Sequence, residues 1–293
     1  MKIEFREEPV ERAETPLLIV WGFEGSPVSS GTAEQLPAAT RKLLDGLHAS
    51  GELTGKTLEC TLIHNPPGLA ARRLLVVGAG KREKSLPHYV MRLAGAAVRF
   101  ARGRGIHEAA WLCDGSHLAA DALQLITEGA LLADYDPDRY RSDRNSTRRI
   151  DRLNLLLPGG KAGKAENSAI ERGRVVGESA NFTRDLVNEP SNIMTPTRLA
   201  DEAAAMASQF GLQSEILGPD AIRALKMNAF LAVAQGSSEP PRLIVLRYTP
   251  ADAPASPVVA LVGKGITFDT GGISIKPAAN MEEMKTDMAG GAA

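Results

Sequence analysis

Four short apolar runs, at 17–21, 74–77, 109–113 and 153–157, are each bounded by Gly, Pro or charge. Blocks this brief and this apolar read as strands buried on both faces. Amphipathic stretches lie between them: 88–102 repeats Val90, Leu93, Ala97 and Phe100 near the helical period, and 117–132 is a second candidate helix. Buried strands alternating with helices restrict residues 1–165 to an α/β domain with a mostly parallel sheet.

Pro-Gly-Gly-Lys-Ala-Gly-Lys at 158–164 reads as a loop or domain exit. A connecting helix is expected over 166–190. Ser168 and Glu171 form a possible capping box, and Ala169, Val176, Ala180 and Val187 share a face. Pro190 disfavours helix at Glu189, so the helix should stop near Asn188. Beyond it, Thr195 and Pro196 make an N-cap and first turn, and a stripe of Leu199, Ala203, Met206 and Phe210 is closed by Gly211. Runs at 230–234, 243–248 and 258–262 are expected as further buried strands. Residues 191–293 are thus read as the start of a larger α/β domain, left incomplete.

Charge and cysteine use exclude several function classes. With 34 basic and 35 acidic side chains in 293 residues, the net charge of -1 provides no bulk field for nucleic acid or an anionic membrane. No run approaches about 18 apolar residues, and the charged N-terminus lacks a signal-peptide core. Cys60 and Cys113, set among strand-like neighbours, read as two buried thiols of a reduced, cytoplasmic protein. Gly78-Ala79-Gly80-Lys81 is not a phosphate loop: Arg82 stands where Ser or Thr belongs, and Leu75 where the first glycine belongs. The Arg-rich stretch 139–152, with Arg141, Arg144, Arg148 and Arg149, also carries Asp138, Asp143 and Asp151 and reads as a solvated surface. His48, His64, His88, His107 and His117 show no metal-ligand spacing and all precede the connecting helix.

The stretch 261–293 carries the chemistry. After the run at 258–262 come Gly263-Lys264-Gly265, Phe268-Asp269-Thr270-Gly271-Gly272, Lys276 and Met284-Lys285-Thr286-Asp287. Aspartates held near one another repel unless a cation or a lysine stands between them. Two readings meet that need: hard divalent ions on the carboxylates, or a Gly-rich turn with surface ion pairs.

Val262 to Gly272, Lys276 and the segment from Met284 to Asp287 resemble the leucine aminopeptidase family, also called cytosol aminopeptidases. The steps match: five from Lys264 to Asp269, seven to Lys276, eleven to Asp287. Asn188-Glu189-Pro190-Ser191-Asn192, Ala232-Val233-Ala234-Gln235-Gly236-Ser237 and Pro240-Pro241-Arg242-Leu243 also resemble family segments.

That resemblance implies a two-metal exopeptidase acting on peptides with a free N-terminus, with Mn or Zn as the expected ions, and a homo-oligomer, hexameric in the family. It makes Asp269 the bridging metal ligand, Lys264 and Asp287 ligands of one ion, and Lys276 the charged group that stabilises the developing oxyanion. An amine ligand must be neutral, so the cation would displace the proton of Lys264. A metal-bridging hydroxide would be the nucleophile. Met284 matches a position lining the pocket for the first substrate side chain; the alternative for Met284 is core packing. All four residues, Lys264, Asp269, Lys276 and Met284, would then face substrate.

Family members continue through a segment reading Asn-Thr-Asp-Ala-Glu-Gly-Arg, which holds further carboxylate ligands and an arginine associated with bicarbonate. No such segment occurs here. The expectation is therefore an inactive fragment of a longer enzyme; the alternative is a non-catalytic truncated homologue acting in binding or assembly.

Overall fold

The computed structural model describes residues 1–26, 28–84, 88–114, 120–142, 149–158, 160–254 and 256–293. Two compact units divide it, Met1–Asn181 and Phe182–Ala293.

The first unit is built on a six-stranded sheet of β1 (Lys2–Arg6), β2 (Leu18–Gly22), β3 (Cys60–His64), β4 (Arg73–Gly78), β5 (Glu108–Leu112) and β6 (Arg152–Leu156). Its order is β1-β6-β5-β2-β4-β3, parallel throughout except for β3, which pairs antiparallel with β4 at one edge. The mostly parallel α/β expectation holds, and the four apolar runs are β2, β4, β5 and β6 within a residue. β1 escaped notice because its alternation of charged and apolar residues, Lys-Ile-Glu-Phe-Arg, marks an edge strand rather than a buried one.

Alternate side chains along each strand feed separate cores, as the two-residue period demands. Ile19, Trp21, Leu75, Val77, Trp111, Leu153 and Leu155 pack on one face with α3 (Tyr89–Gly103) and α4 (Ala120–Asp134). Leu18, Val20, Leu74, Val76, Ala110, Leu112 and Leu156 pack on the other with Leu44 of α2 (Ala38–Ala49), which follows the short α1 (Ser30–Gln35). The helix expected from residue 117 is observed from Ala120; residues 117–119 lie outside the described set, as do Asp143, Arg144 and Arg148.

The connecting helix α5 runs Lys164–Asn188, starting four residues before the expected cap. Ser168 is internal, and Glu166 instead accepts from the Gly163 amide at 2.9 Å. The inward face also differs from the expected apolar stripe: Val176 is exposed, whereas Ala169, Gly173 and Gly177 are buried. A Cβ at Gly173 would lie 2.5 Å from the Gln124 carbonyl oxygen, and one at Gly177 3.0 Å from Leu131 Cβ. Close backbone approach to α4, rather than hydrophobic side chains, seats this helix.

The second unit begins within α5. α6 (Pro196–Phe210) is capped by Thr195, whose hydroxyl accepts from the Arg198 amide, and ends at left-handed Gly211, as expected. Its buried residues are Leu199, Ala200 and Ala207; Phe210, expected in the stripe, is exposed. β7 (Gln213–Leu217) and β8 (Leu243–Arg247) form a two-stranded antiparallel sheet. Between them lie α7 (Pro219–Ala224) and α8 (Asn228–Ala234). Two strand expectations fail. Residues 230–234 are the body of α8, because a short run rich in Ala and Leu fits either state and periodicity does not separate them. Residues 258–262 form no strand: among the described residues nothing pairs with them, and Val258, Val259, Leu261 and Val262 are 80 to 96% exposed. β8 is half-buried rather than covered on both faces.

Candidate functional site

Two segments of the second unit carry the motif residues, 263–276 and the 3₁₀ helix Met281–Met288, which runs on into α9 (Ala289–Ala292). Met288 fixes the second segment. It is fully buried in a cluster with Leu186, Met194 and Leu199. Lys285 adds a hydrogen bond to the Asn188 carbonyl at 2.7 Å, tying the segment to the Asn188-Glu189-Pro190 corner, where the Ile193 and Met194 amides both donate to the Pro190 carbonyl.

Glycines bring the two segments together. A Cβ on Gly263 would lie 2.1 Å from the Gly290 carbonyl oxygen, and one on Gly291 2.9 Å from the Lys264 carbonyl oxygen. The Gly291 amide donates to that Lys264 carbonyl at 2.8 Å. Main chain thus touches main chain, and the Lys264 side chain is delivered to Asp287. Its ammonium stands 2.7 Å from both carboxylate oxygens, with hydrogen-bond geometry only at Oδ1. Oδ2 is buried and accepts no hydrogen bond.

A tight turn makes the second pair. Gly271 has φ +94°, which L side chains rarely adopt, and a Cβ there would lie 2.5 Å from the Ser274 carbonyl oxygen. The Lys276 amide closes the turn on the Thr270 carbonyl at 2.9 Å. The Lys276 ammonium then reaches Asp269 Oδ2 at 2.9 Å and Met284 Sδ at 3.1 Å. Asp269 Oδ1 accepts from the Gly271 amide at 2.9 Å. The Lys276 hydrogen bond, then the Gly271 amide, hold the Asp269 carboxyl below the ordinary aspartate range, and the charge of Lys264 contributes in the same direction. Both lysines therefore act on Asp269, and all five expected residues lie in one neighbourhood. Met284 is half-buried beside the Lys276 ammonium, whereas the methionine of the same segment that enters the core is Met288.

The donor set suits a divalent cation in kind: two carboxylates, one of them with a buried oxygen lacking a hydrogen bond, and a lysine amine beside that carboxylate. It is a partial set. Among the described residues no group of three or more His, Cys, Asp or Glu could hold a metal ion. Sequence reasoning did not anticipate Gly290 and Gly291 as the backbone partners of Gly263 and Lys264; their signal was a second small-residue pair soon after Asp287.

Known proteins match the chain in sequence and in fold. The model of the cytosol aminopeptidase family catalytic domain matches residues 181–293, and that of the family's N-terminal domain matches 19–144. A probable cytosol aminopeptidase of Solibacter usitatus is 45% identical over 293 residues, 100% of this chain and 58% of the relative. Another, from Koribacter versatilis, is 45% identical over 313 residues, with 100% and 60% covered. A tomato leucine aminopeptidase mutant superposes with a TM-score of 0.80 at 27% identity over 100% of this chain and 57% of that one. A bottromycin maturation enzyme in complex with Mn superposes at 0.73, 27% identical, over 95% and 54%. The chain thus spans a little over half the length of the relatives it matches. With both domain models matched in order, and the lysines and aspartates of its glycine-rich segment gathered at one place, this chain belongs to the cytosol aminopeptidase family.

Proposed function

We propose that these residues form part of the active site of a metal-dependent aminopeptidase, which releases N-terminal amino acids of leucine type from peptides. The observation that carries this reading is the convergence of Lys264, Asp269, Lys276 and Asp287, four residues from two segments, joined through lysine–carboxylate contacts of 2.7 and 2.9 Å. Two divalent ions, Mn or Zn, would supply Lewis-acid polarisation of the scissile carbonyl and a bridging hydroxide as nucleophile. Asp269 would lie between the ions, and Asp287 and Lys264 would hold one of them. Mn is supported by the relative named in complex with it.

Each residue has a physical task. Lys264 must surrender its proton to serve as a ligand, so ion uptake competes with protons and strengthens as pH rises. Lys276 keeps its charge. Its ammonium is half-exposed and backed by Asp269, and so is able to donate toward a carbonyl oxygen arriving from solvent. Met284 places a flexible apolar thioether beside that ammonium, suited to an apolar first side chain of the substrate.

The family resemblance extends the proposal to a homohexamer in the cytoplasm; no helix among the described residues is long and apolar enough to cross a membrane. The 293 residues alone, with two aspartates and one lysine as ligands, are proposed to be inactive. Bicarbonate belongs to the proposal only for a full-length form.

Lys276→Ala in a full-length form tests the assignment. Turnover of leucine p-nitroanilide should fall by about 10²–10³ while metal content stays unchanged. Unchanged turnover would remove Lys276 from the reaction.

A further inference from the structure

The first unit contains a cavity of about 270 Å³ that the proposed peptidase chemistry does not use. It lies at the carboxyl ends of two adjacent parallel strands: Ala79, in its wall, follows directly on β4, and Glu24 stands two residues past the end of β2, and the strands' last residues, Gly22 and Gly78, pair in register. Open α/β sheets bind ligands at that edge. His88 and Tyr89, at the start of α3, form another wall, and among the described residues no side chain caps this helix. The dipole of this helix favours an anion there.

The lining carries the same preference. Lys81, Lys84 and Arg92 face Glu24 alone among the described acids, with His88 as a further donor. Arg82 is not among these cations; its guanidinium lies 4.5 Å from the Phe23 ring centroid. Leu58, Leu93 and Tyr89 add an apolar side.

The floor is fixed before any ligand arrives. Glu59 Oε2 accepts from the Thr54 amide, the Thr54 hydroxyl and the Gly55 amide at 2.8 to 3.0 Å. Gly80 donates to the Gly55 carbonyl and accepts from the Glu24 amide, each at 2.9 Å. This framework holds Leu58, a branched residue, at φ +59°. Such conformations persist only where the surroundings enforce them, and they gather at ligand clamps.

We propose that this cavity is a binding site for a small phosphate-bearing ligand. It is not a phosphate loop, whose fingerprint fails at Leu75 and Arg82. The charge comes instead from the strand-end loop and α3, and the apolar side accepts the organic part of a phosphate ester.

Isothermal titration of the 293-residue chain with inorganic pyrophosphate and with phenyl phosphate, at constant ionic strength, tests this. Saturable binding of at least one probe is expected, and the tighter of the two shows whether the ligand is a free phosphate or an ester. Lys81→Glu with Arg92→Glu should weaken it by about tenfold or more. The charge-matched pair Arg41→Glu with Lys42→Glu, on α2 at the opposite face of the sheet, should leave it unchanged. Lys84→Ala, at an exposed position, should weaken it severalfold in a chain whose circular dichroism is that of the parent. Absence of saturable binding to either probe, or equal weakening by both charge-reversed pairs, would overturn the proposal.

Discussion

Gly263→Ala should pull apart the backbone contact that delivers Lys264 to Asp287. The new methyl carbon would lie 2.1 Å from the Gly290 carbonyl oxygen and 2.7 Å from both Gly290 C and Gly291 Cα. All three are main-chain atoms, so no rotamer change relieves the overlap, and the segments must separate by about 1 Å to restore ordinary contact. That separation breaks the 2.8 Å hydrogen bond from the Gly291 amide to the Lys264 carbonyl, worth about 1 kcal/mol. Overpacking adds about 1–3 kcal/mol, giving roughly 2–4 kcal/mol in all. Hydrogen exchange read by mass spectrometry on peptides from 285–293 is the suitable assay, because that loss corresponds to about 30- to 1,000-fold faster exchange at the Gly291 amide. Gly272→Ala is the control: it has φ +83° but open space around it, so only dihedral strain of about 1–2 kcal/mol applies, with no local opening at Gly291. Unaltered Gly291 protection in Gly263→Ala would refute the claim that glycine contact assembles the site.

Two further predictions concern the first unit. Burial raises the Glu59 carboxyl, but hydrogen bonds from the Thr54 hydroxyl and the Gly55, Thr54 and Lys56 amides outweigh it and leave it below the ordinary glutamate value of 4.5. A depressed folded value means stability present above that unfolded value and lost as pH falls through the folded one. Glu59→Gln should cost about 1–2 kcal/mol at pH 7 and narrow the difference between urea midpoints at pH 7 and pH 3; parallel shifts at both pH values would contradict this. Burial also pushes the Cys60 thiol up to about 11, so at pH 8 its thiolate fraction is about 10⁻³ and iodoacetamide should modify it ~100-fold more slowly than free cysteine. A rate within a few fold of free cysteine would show that the thiol is not shielded.

Patterning revealed most where burial is complete. β2, β4, β5 and β6 are covered on both faces, so continuous apolar runs marked them, and the two cores follow from alternate residues of those runs. It failed where packing is done by backbone. α5 seats on α4 through Gly173 and Gly177, which no hydrophobic periodicity registers, and Val176, on the expected inward stripe, faces out. In the second unit, 258–262 has strand composition but no ladder partner among the described residues, since composition describes a strand's faces but not its edges. The site residues were legible from type and spacing. Their pairing was not, because Lys264 with Asp287 and Lys276 with Asp269 depends on Gly263 meeting Gly290 and on the positive φ of Gly271.

In the proposed site Asp269, with Lys264 and Asp287, holds divalent metal. Elemental analysis of a full-length form carrying these residues measures it directly, comparing the parent with Asp269→Asn after dialysis against trace Mn or Zn. Near two ions per subunit are expected in the parent, with a loss of bound metal in Asp269→Asn, which keeps the side-chain shape and removes the charge. Retention of both ions by Asp269→Asn would contradict the bridging role.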